Sequence, residues 1–576
     1  MRSTKKHPYG YELYESTIFE DFRVMVENVA KKYPDDIAFS YKNDPNDRET
    51  VKITYAQSRT DIHELGTGLL DLGCRGKTCA ITGVASIGWI YSYIALTATG
   101  AITVPLDKEW NAEDLASTVA KAECEYLFYS EEVKGKLEII AAANPQIKKY
   151  ICIKGEPREG DIMLESISGR GRELIAAGNN DYYDLPLDPD ALATIVFTSG
   201  TTGKGKGVML TQTNICKDMT GGMYLFNVTK KTLCLLPLHH TYASTGNIIG
   251  HYSQGSEVYI SSGLKYIMRE MKEQQPSHLV LVPLFLETFY KKIWATARQN
   301  GQDEKLKKGI KLSNNLRKFG IDRRRSLFRQ VLAPFGGKFE LVVCGGAPLN
   351  QKIIDFFDAI GITVVNGYGI TECAPFISCN RNRWRKPNSV GVPFQGESVR
   401  IYNPNEKGEG EICVKGPNVM LGYFKDEEAT KVVFDSDGYF HTGDFGRMDS
   451  EGWLYITGRM KNIIVLSNGK NVYPEEIEND ISRIPGVSEI IVHEGVNKLG
   501  KQVLVAQIFP DADYLRSAGV LPEGYKAYFE KEIFDKLNPS MPPYKHIKYV
   551  KIRDNEFAKN TSRKITRFNV DKKIDG

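Results

Sequence analysis

Residues 78–106, TCAITGVASIGWIYSYIALTATGAITVPL, hold no charged side chain. A run this apolar must be buried, either in lipid or in protein, and it is long enough to cross a bilayer. Gly83, Ser86, Gly88, Thr97, Thr99 and Gly100 interrupt it, however. The pieces between them, CAIT, WIYSYIALTA and ITVPL, have the lengths of a strand, a helix and a strand. Strands without polar alternation belong to a parallel sheet covered on both faces. The expectation is a buried strand–helix–strand unit in the centre of a folded domain, with no transmembrane segment.

The same texture continues. YLFYS, YICIK, TIVFT, LCLLPL, HLVLVP, LVVCGG and TVVNGYG are short strand-like runs separated by helical stretches. That alternation is the signature of α/β architecture with mainly parallel sheets. After Val390 the runs VRIYN, GEGEICVKG and GWLYITG, with turns between them, predict a β-rich subdomain. From 458-GRMKN-462 a further strand and helix pattern begins, of a size suited to a separate domain. A chain of 576 residues exceeds one hydrophobic core. The fold expected is therefore α/β: a large multi-layer N-terminal domain over 1–458, and a small, mobile α+β lid domain over 459–576.

Charge and cysteines exclude other classes. Net charge is +4 on 75 basic and 71 acidic residues, so no global field selects nucleic acid. Ten cysteines without a Cys-x-x-Cys pair argue for buried thiols in a cytoplasmic protein, against zinc or disulfides. The first residues carry no apolar signal-peptide core. Residues 300–329 are basic, ten Lys/Arg against three Asp/Glu. Leu306, Ile310, Leu312, Leu316 and Phe319 recur there at near-helical spacing. The plain expectation is a solvated helical pair packing one apolar face; the sharper one is peripheral contact with an anionic membrane.

The stretch 197-FTSGTTGKGKGVM-209 fits most of a Walker phosphate loop, yet Gly207 stands where that loop needs Ser or Thr. A Walker loop also runs straight into a helix. Here VML follows, a second strand, and only then TQTNICKDM, a helix with Thr211 near its cap. The segment nevertheless suits phosphate. Thr198, Ser199, Thr201 and Thr202 offer hydroxyls, Gly200, Gly203, Gly205 and Gly207 let backbone N–H groups approach an anion, and Lys204 and Lys206 add charge.

This loop resembles the phosphate loop of the adenylate-forming superfamily, which includes acyl-CoA synthetases, peptide-synthetase adenylation domains and beetle luciferases. The family motif (S/T)SG(S/T)(S/T)GxxKGV puts its lysine on Lys206. NGYGITECAP (366–375), GYFHTGDFGRMDSEGWLYITGR (438–459), NGKNVYPEEIE (468–478) and NTSRKITR (560–567) resemble the later family motifs, in order. A protein-kinase reading from the glycine loop and Asp444-Phe445-Gly446 fails, because no HRD or APE motif follows.

The resemblance implies attack of a carboxylate on the α-phosphate of ATP, then transfer of the acyl group to a thiol. Two anions ~4 Å apart repel by about 1 kcal/mol in water and about 4 at an effective dielectric of ~20, so cations and donors must converge. It implies Glu372 as the Mg2+ ligand, Thr371 as an α-phosphate contact, and Tyr368 as the adenine-stacking aromatic. Asn366, Gly367, Gly369, Gly345, Gly346 and Ala347 would lie nearby. Asp444 would accept the ribose hydroxyls with Arg459 assisting, and Lys564 would swing over the α-phosphate from the small domain. Arg563 replaces the glycine usual before that lysine. Lys461 and Asn462 mark the hinge, with Asn462 in place of the usual acid, and the 467–469 strip would line the thiol channel.

LPLHHTYASTGN (236–247) and the basic insertion before LVVCGGAPLN resemble the long-chain fatty acyl-CoA synthetase branch. His240 matches its position at the mouth of the acyl pocket; Tyr242, Thr245, Gly246 and Cys373 are weaker pocket candidates, and His239 is expected to be a satisfied structural histidine. The implied substrates are a fatty acid, ATP and coenzyme A. An aryl acid, or the pantetheine of a carrier protein as acceptor, is compatible with the same motifs, as is a nucleotide sensor that catalyses nothing.

Overall fold

The computed structural model describes residues 12–198, 205–228, 230–467, 470–497, 500–559, 565, 567 and 570–572. Its centre is the charge-free stretch. Thr78–Thr82 and Ile102–Leu106 are parallel neighbouring strands, and the helix Ile87–Ala98 crosses between them, buried at every residue from Gly88 to Ala98. Ser86 caps that helix by accepting from the N–H of Trp89. The strands sit inside an eight-stranded sheet ordered 422–423, 206–211, 192–198, 102–106, 78–82, 126–130, 149–154, 162–163. Six of these strands, from Leu192–Thr198 outward, run parallel. Side chains alternate between its two faces as a pleat demands: Cys79, Ile81 and Phe128 enter one apolar cluster, Ala80, Leu127 and Tyr129 the other.

A second sheet pairs His278–Leu281, Leu341–Cys344 and Thr363–Gly369 in parallel and then adds Phe376–Cys379 antiparallel. A four-stranded antiparallel sheet follows, made of 398–402, 410–415, 440–448 and 454–459, so the β-rich segment expected after Val390 is present. Beyond Arg459, the strands Val487–Val496, Gln502–Pro510 and Ile547–Ile552 and the helices Pro474–Ile481 and Tyr525–Lys531 enclose a separate small core. The smaller unit touches the larger along the helix Pro283–Gln299 and at the start of the helix Gln351–Ile360: Lys291 Nζ donates to Ser488 Oγ at 3.1 Å and Lys352 Nζ to the Arg483 carbonyl at 2.9 Å.

Two local expectations change. LCLLPL is not one strand. Pairing ends at Cys234, and the Pro237 segment leaves the sheet to form the turn carrying His239 and His240. The apolar residues of 300–329 do not share one face. In the helix Asp303–Lys318, Leu306 is buried, Ser313 Oγ donates to the Ala359 carbonyl, and Arg317 pairs with Asp358. Leu312 is 49% exposed and Phe319, just past the helix, 81%. Leu312 lies six positions from Leu306, about one and two-thirds turns, which points it away from the core.

All ten cysteines are buried and none is in a disulfide. Among the described residues, no helix is long and apolar enough to cross a membrane.

Candidate active site

The glycine-rich segment joins two antiparallel strands, Leu192–Thr198 and Lys206–Thr211, with Thr198 opposite Lys206. Thr211 then caps the helix Gln212–Met223 through a capping box with Asn214. Residues 199–204, with Ser199, Gly200, Thr201, Thr202, Gly203 and Lys204, lie outside the described residues. The hairpin explains Gly207. A Cβ there would stand 2.9 Å from Ile195 Cγ2 and 3.2 Å from both Phe197 and Phe424. A metal-binding hydroxyl has no room at that position.

What the second strand carries is a partner from far along the chain. Gly422–Tyr423 pairs antiparallel with Met209 and Val208. This sets the Tyr423 ring under Lys206, whose Nζ lies 4.4 Å from the ring centre, and aims the Tyr423 hydroxyl at Glu372, where it donates to Oε1 at 2.9 Å. Burial and the Glu372 charge push the Tyr423 phenol well above its ordinary range, so it remains a donor. Thr371 and Glu372 stand on a short 3-10 turn between Gly369 and the strand Phe376–Cys379. The Glu372 carbonyl is held by the N–H of Met420 at 2.9 Å. Lys206, Glu372 and Tyr423 therefore form one cluster at the mouth of the hairpin.

A second cluster lies alongside. Asp444 is 2% exposed; Tyr368 Oη donates to its Oδ2 at 2.7 Å and Arg459 Nε to its Oδ1 at 2.9 Å. Arg459 faces Asp444 directly across paired strands. Lys461 joins the clusters: burial and the nearby Arg459 lower the pKa of its ammonium, while Asp444, Glu372 and Glu475 oppose that shift. Asn462 donates to Glu475. Asn366 and Gly367 occupy the strand leading to Tyr368, and the Asn366 carbonyl accepts from the N–H of Asn380 at 2.9 Å. Gly346 and Ala347 follow the strand Leu341–Cys344 at the same end of the second sheet. These loops leave the carboxyl ends of parallel strands, the usual place for a ligand crevice in α/β folds.

The acyl-pocket candidates divide. Tyr242 begins a buried π-helical segment, Tyr242–Ile249, and its hydroxyl lies 3.2 Å from the Leu281 carbonyl and 3.1 Å from that of Val343. Gly246 faces the Phe376 ring, which a Cβ would approach to 2.8 Å, and Phe376 stacks on Phe394 at 5.5 Å. Thr245 is buried in the same segment. Cys373 instead packs with Val196, Val208 and Leu210 behind the hairpin. The His240 ring centre is 4.0 Å from that of His239.

His239 is not the satisfied histidine expected. Its buried Nε2 has no hydrogen bond, and the Asp107 Oδ2 atom, equally unpartnered, stands 3.5 Å away. Burial drives the pKa of this imidazole down to about 4, with Lys108 adding to the shift, so it is neutral at physiological pH. Lys564 and residues 468–469 lie outside the described residues, and Ser467 donates its N–H to Gln502. Tyr423 and Asp107 were missed by sequence reasoning. GYF after the turn GPNV carries no local mark of its contact with Glu372.

The fold thus brings two unlike clusters of charged and polar side chains side by side, Lys206–Glu372–Tyr423 and Tyr368–Asp444–Arg459. The AMP-binding enzyme family matches residues 26–424. Long-chain-fatty-acid–CoA ligase 6 of Mus musculus is 30% identical over 503 residues, 81% of this chain and 70% of that protein. The FadD15 long-chain-fatty-acid–CoA ligase of Mycobacterium bovis is 29% identical over 463 residues, 76% of this chain and 75% of its own. Among solved structures, Mycobacterium tuberculosis fatty acyl CoA synthetase superposes with a TM-score of 0.64 at 22% identity, covering 95% of this chain and 97% of that one. Bacillus subtilis o-succinylbenzoate CoA synthetase with its acyl-adenylate gives 0.70 at 21% identity, covering 95% and 97%. The chain belongs to the AMP-binding enzyme family, the adenylate-forming enzymes, and groups with the long-chain fatty-acid ligase branch.

Proposed function

We propose that this protein converts a fatty acid and ATP to acyl-adenylate and pyrophosphate, then passes the acyl group to coenzyme A. The observation that carries the reading is the adjacency of two unlike clusters. Lys206, Lys461 and the hairpin suit phosphates; Asp444 with Arg459 and Tyr368 suits a polyol such as ribose. Relatives named as long-chain fatty-acid ligases support the acid.

In the first step an acid carboxylate oxygen bonds to the α-phosphorus while the bond to the β-phosphate oxygen breaks. In the second the CoA sulfur bonds to the acyl carbon as AMP leaves. The chain's own groups make the first step accessible by offsetting repulsion between anions. Lys206 faces the polyphosphate, Thr371 the α-phosphate, and Lys564 comes from the smaller unit, residues 459–576, to neutralise charge that grows in the transition state. Asp444 and Tyr368 hold the nucleoside. Glu372 fits a hard divalent cation: it is a partly buried carboxylate, one oxygen of which Tyr423 anchors. Mg2+, when bound there, would supply further charge for the phosphates.

The outer face of 303–321 gives the lipid reading a second support. Leu312, Phe319 and Ile321 are 49%, 81% and 47% exposed, and Lys305, Lys308, Lys311 and Lys318 have no acidic partner among the described residues. Apolar side chains between unpaired cations suit an anionic bilayer, where a fatty acid partitions, and like charge disfavours a second copy of this chain.

The test is acid-dependent ATP–pyrophosphate exchange over saturated acids of graded length and a set of aryl acids. Exchange that peaks with long acyl chains and release of acyl-CoA with free coenzyme A is the expected outcome. A peak with aryl acids, or acyl transfer confined to a carrier protein, replaces the substrate assignment. Absence of exchange with every acid overturns the reading.

A further inference from the structure

Asp444 reaches the site because its strand is irregular. Glu411 pairs with Phe445, and Cys413 pairs with His441. One residue, Ile412, therefore faces three, Thr442, Gly443 and Asp444, a bulge with two surplus residues. Such a bulge has lost its ladder bonds and needs other partners. Gly443 lies at φ +70, in the left-handed region where glycine is unstrained.

The carboxylate of Glu411 holds the middle of the bulge and the residue just before it. Its Oε1 accepts from the N–H of Gly443 at 3.0 Å, and its Oε2 lies 2.7 Å from Nδ1 of His441. The other ring nitrogen of His441 is 3.4 Å from Oδ2 of Asp435, which the N–H groups of Asp437 and Tyr439 hold through Oδ1. Within the bulge, Thr442 Oγ1 donates to the Ile412 carbonyl at 2.7 Å and accepts from the N–H of Asp444 at 3.1 Å. Glu411, Cys413 and His441 place one ligand atom each within 4.8 Å of the others, a spacing a metal ion could use. Both Glu411 oxygens already have partners within the protein, the Gly443 N–H and the His441 ring. The cluster is a clamp made of protein groups.

We propose that Glu411 is a positioning residue: with His441 it locks the bulge that presents the Asp444 carboxylate to the nucleotide. This rests on the assignment of Asp444 to the ribose hydroxyls. The test compares ATP with 2′-deoxy-ATP and 3′-deoxy-ATP in pyrophosphate exchange for the wild type, Glu411→Ala, Glu411→Gln and Asp444→Ala, with melting temperatures as a folding control. Hydrogen bonds to a carboxylate predict a wild-type preference for ATP of about tenfold or more. Glu411→Ala should raise KM for ATP by roughly tenfold, leave kcat within about twofold, and reduce the ribose preference toward that of Asp444→Ala. Isosteric Glu411→Gln, which keeps the acceptor for Gly443, should fall between. An unchanged preference in folded Glu411→Ala, alongside a lost one in Asp444→Ala, overturns the clamp alone. An unchanged preference in Asp444→Ala overturns the ribose assignment and the clamp with it. Stoichiometric zinc in the purified wild type would make Glu411 a metal ligand and overturn the proposal by a separate route.

Discussion

The hydroxyl of Tyr423 donates to Oε1 of Glu372 at 2.9 Å, while the face of its ring meets Lys206 Nζ at 4.4 Å. One side chain thus fixes the rotamer of the carboxylate proposed for Mg2+ and supports the lysine proposed for phosphate. Tyr423→Phe keeps the ring and removes the bond to Glu372. A hydrogen bond to a charged group contributes about 1.5–3 kcal/mol, so adenylation should fall at least roughly tenfold. The Mg2+ concentration needed for half-maximal exchange should rise, and the melting temperature should change little. Exchange titrated against Mg2+ measures this; an unchanged requirement would remove Tyr423 from the site.

Gly207→Ser restores the Walker pattern on paper. The added side chain meets Ile195, Phe197 and Phe424. Overpacking of this kind costs about 1–3 kcal/mol. The expected result is a melting temperature lower by a few degrees and no gain in ATP affinity, checked by thermal unfolding and nucleotide titration.

Lys564→Ala separates the two half-reactions. Adenylate formation should be lost, while thioester formation from supplied acyl-adenylate should persist within about threefold, because the charge that Lys564 offsets belongs to the first step. Equal loss of both would reject its assignment.

His251 and His278 stack in the interior at 4.7 Å, and burial lowers the pKa of His251 to about 4 from an ordinary 6.5. The unfolded chain binds this proton below pH 6.5 and the folded chain only near pH 4. Stability is therefore complete above 6.5 and falls as pH drops through this window, by on the order of 2 kcal/mol for this ring. Buried Glu478, raised to about 7, has the opposite sign: the folded chain holds its proton where the unfolded chain has lost it, so its contribution weakens as pH rises toward 7. The urea midpoint of wild type minus that of His251→Gln, followed from pH 7.5 to 5, isolates the histidine. The difference should shrink on acidification.

Vesicle sedimentation tests the outer face of 303–321. Each lysine near an anionic bilayer contributes about 1 kcal/mol, so wild type should pellet with phosphatidylglycerol vesicles, less with neutral ones, and less in high salt. Phe319→Asp combined with Lys318→Glu should lower binding roughly tenfold and leave exchange with a short, soluble acid unchanged. Equal pelleting of this variant would dissociate the patch from lipid.

How much was legible depended on distance along the chain. The unit 78–106 and the strand pair 192–198/206–211 were readable because strand length, helix length and capping by Thr211 are local matters. The outer helix was misjudged because near-helical spacing does not reveal which face is covered; that is decided by Ala359 and Asp358, some forty residues later. Tyr423 was invisible for the same reason. Its place follows from pairing with Val208, and antiparallel pairing between remote strands leaves no period in the sequence. His239 was misread because its neighbour, Asp107, lies just past the strand Ile102–Leu106, more than a hundred residues earlier.

The bulge at 442–444 carries an even number of surplus residues. A pleated strand alternates with a period of two, so an odd insertion would exchange inner and outer faces from that point on, whereas a pair leaves the parity intact. Phe440 before the bulge and Met448 after it accordingly pack against the same apolar cluster. The carboxylate proposed for the ribose is thus a detour that the rest of the strand does not register. A two-residue deletion there should remove the carboxylate's reach without re-sorting the core, which makes the site and the scaffold separately alterable at this edge.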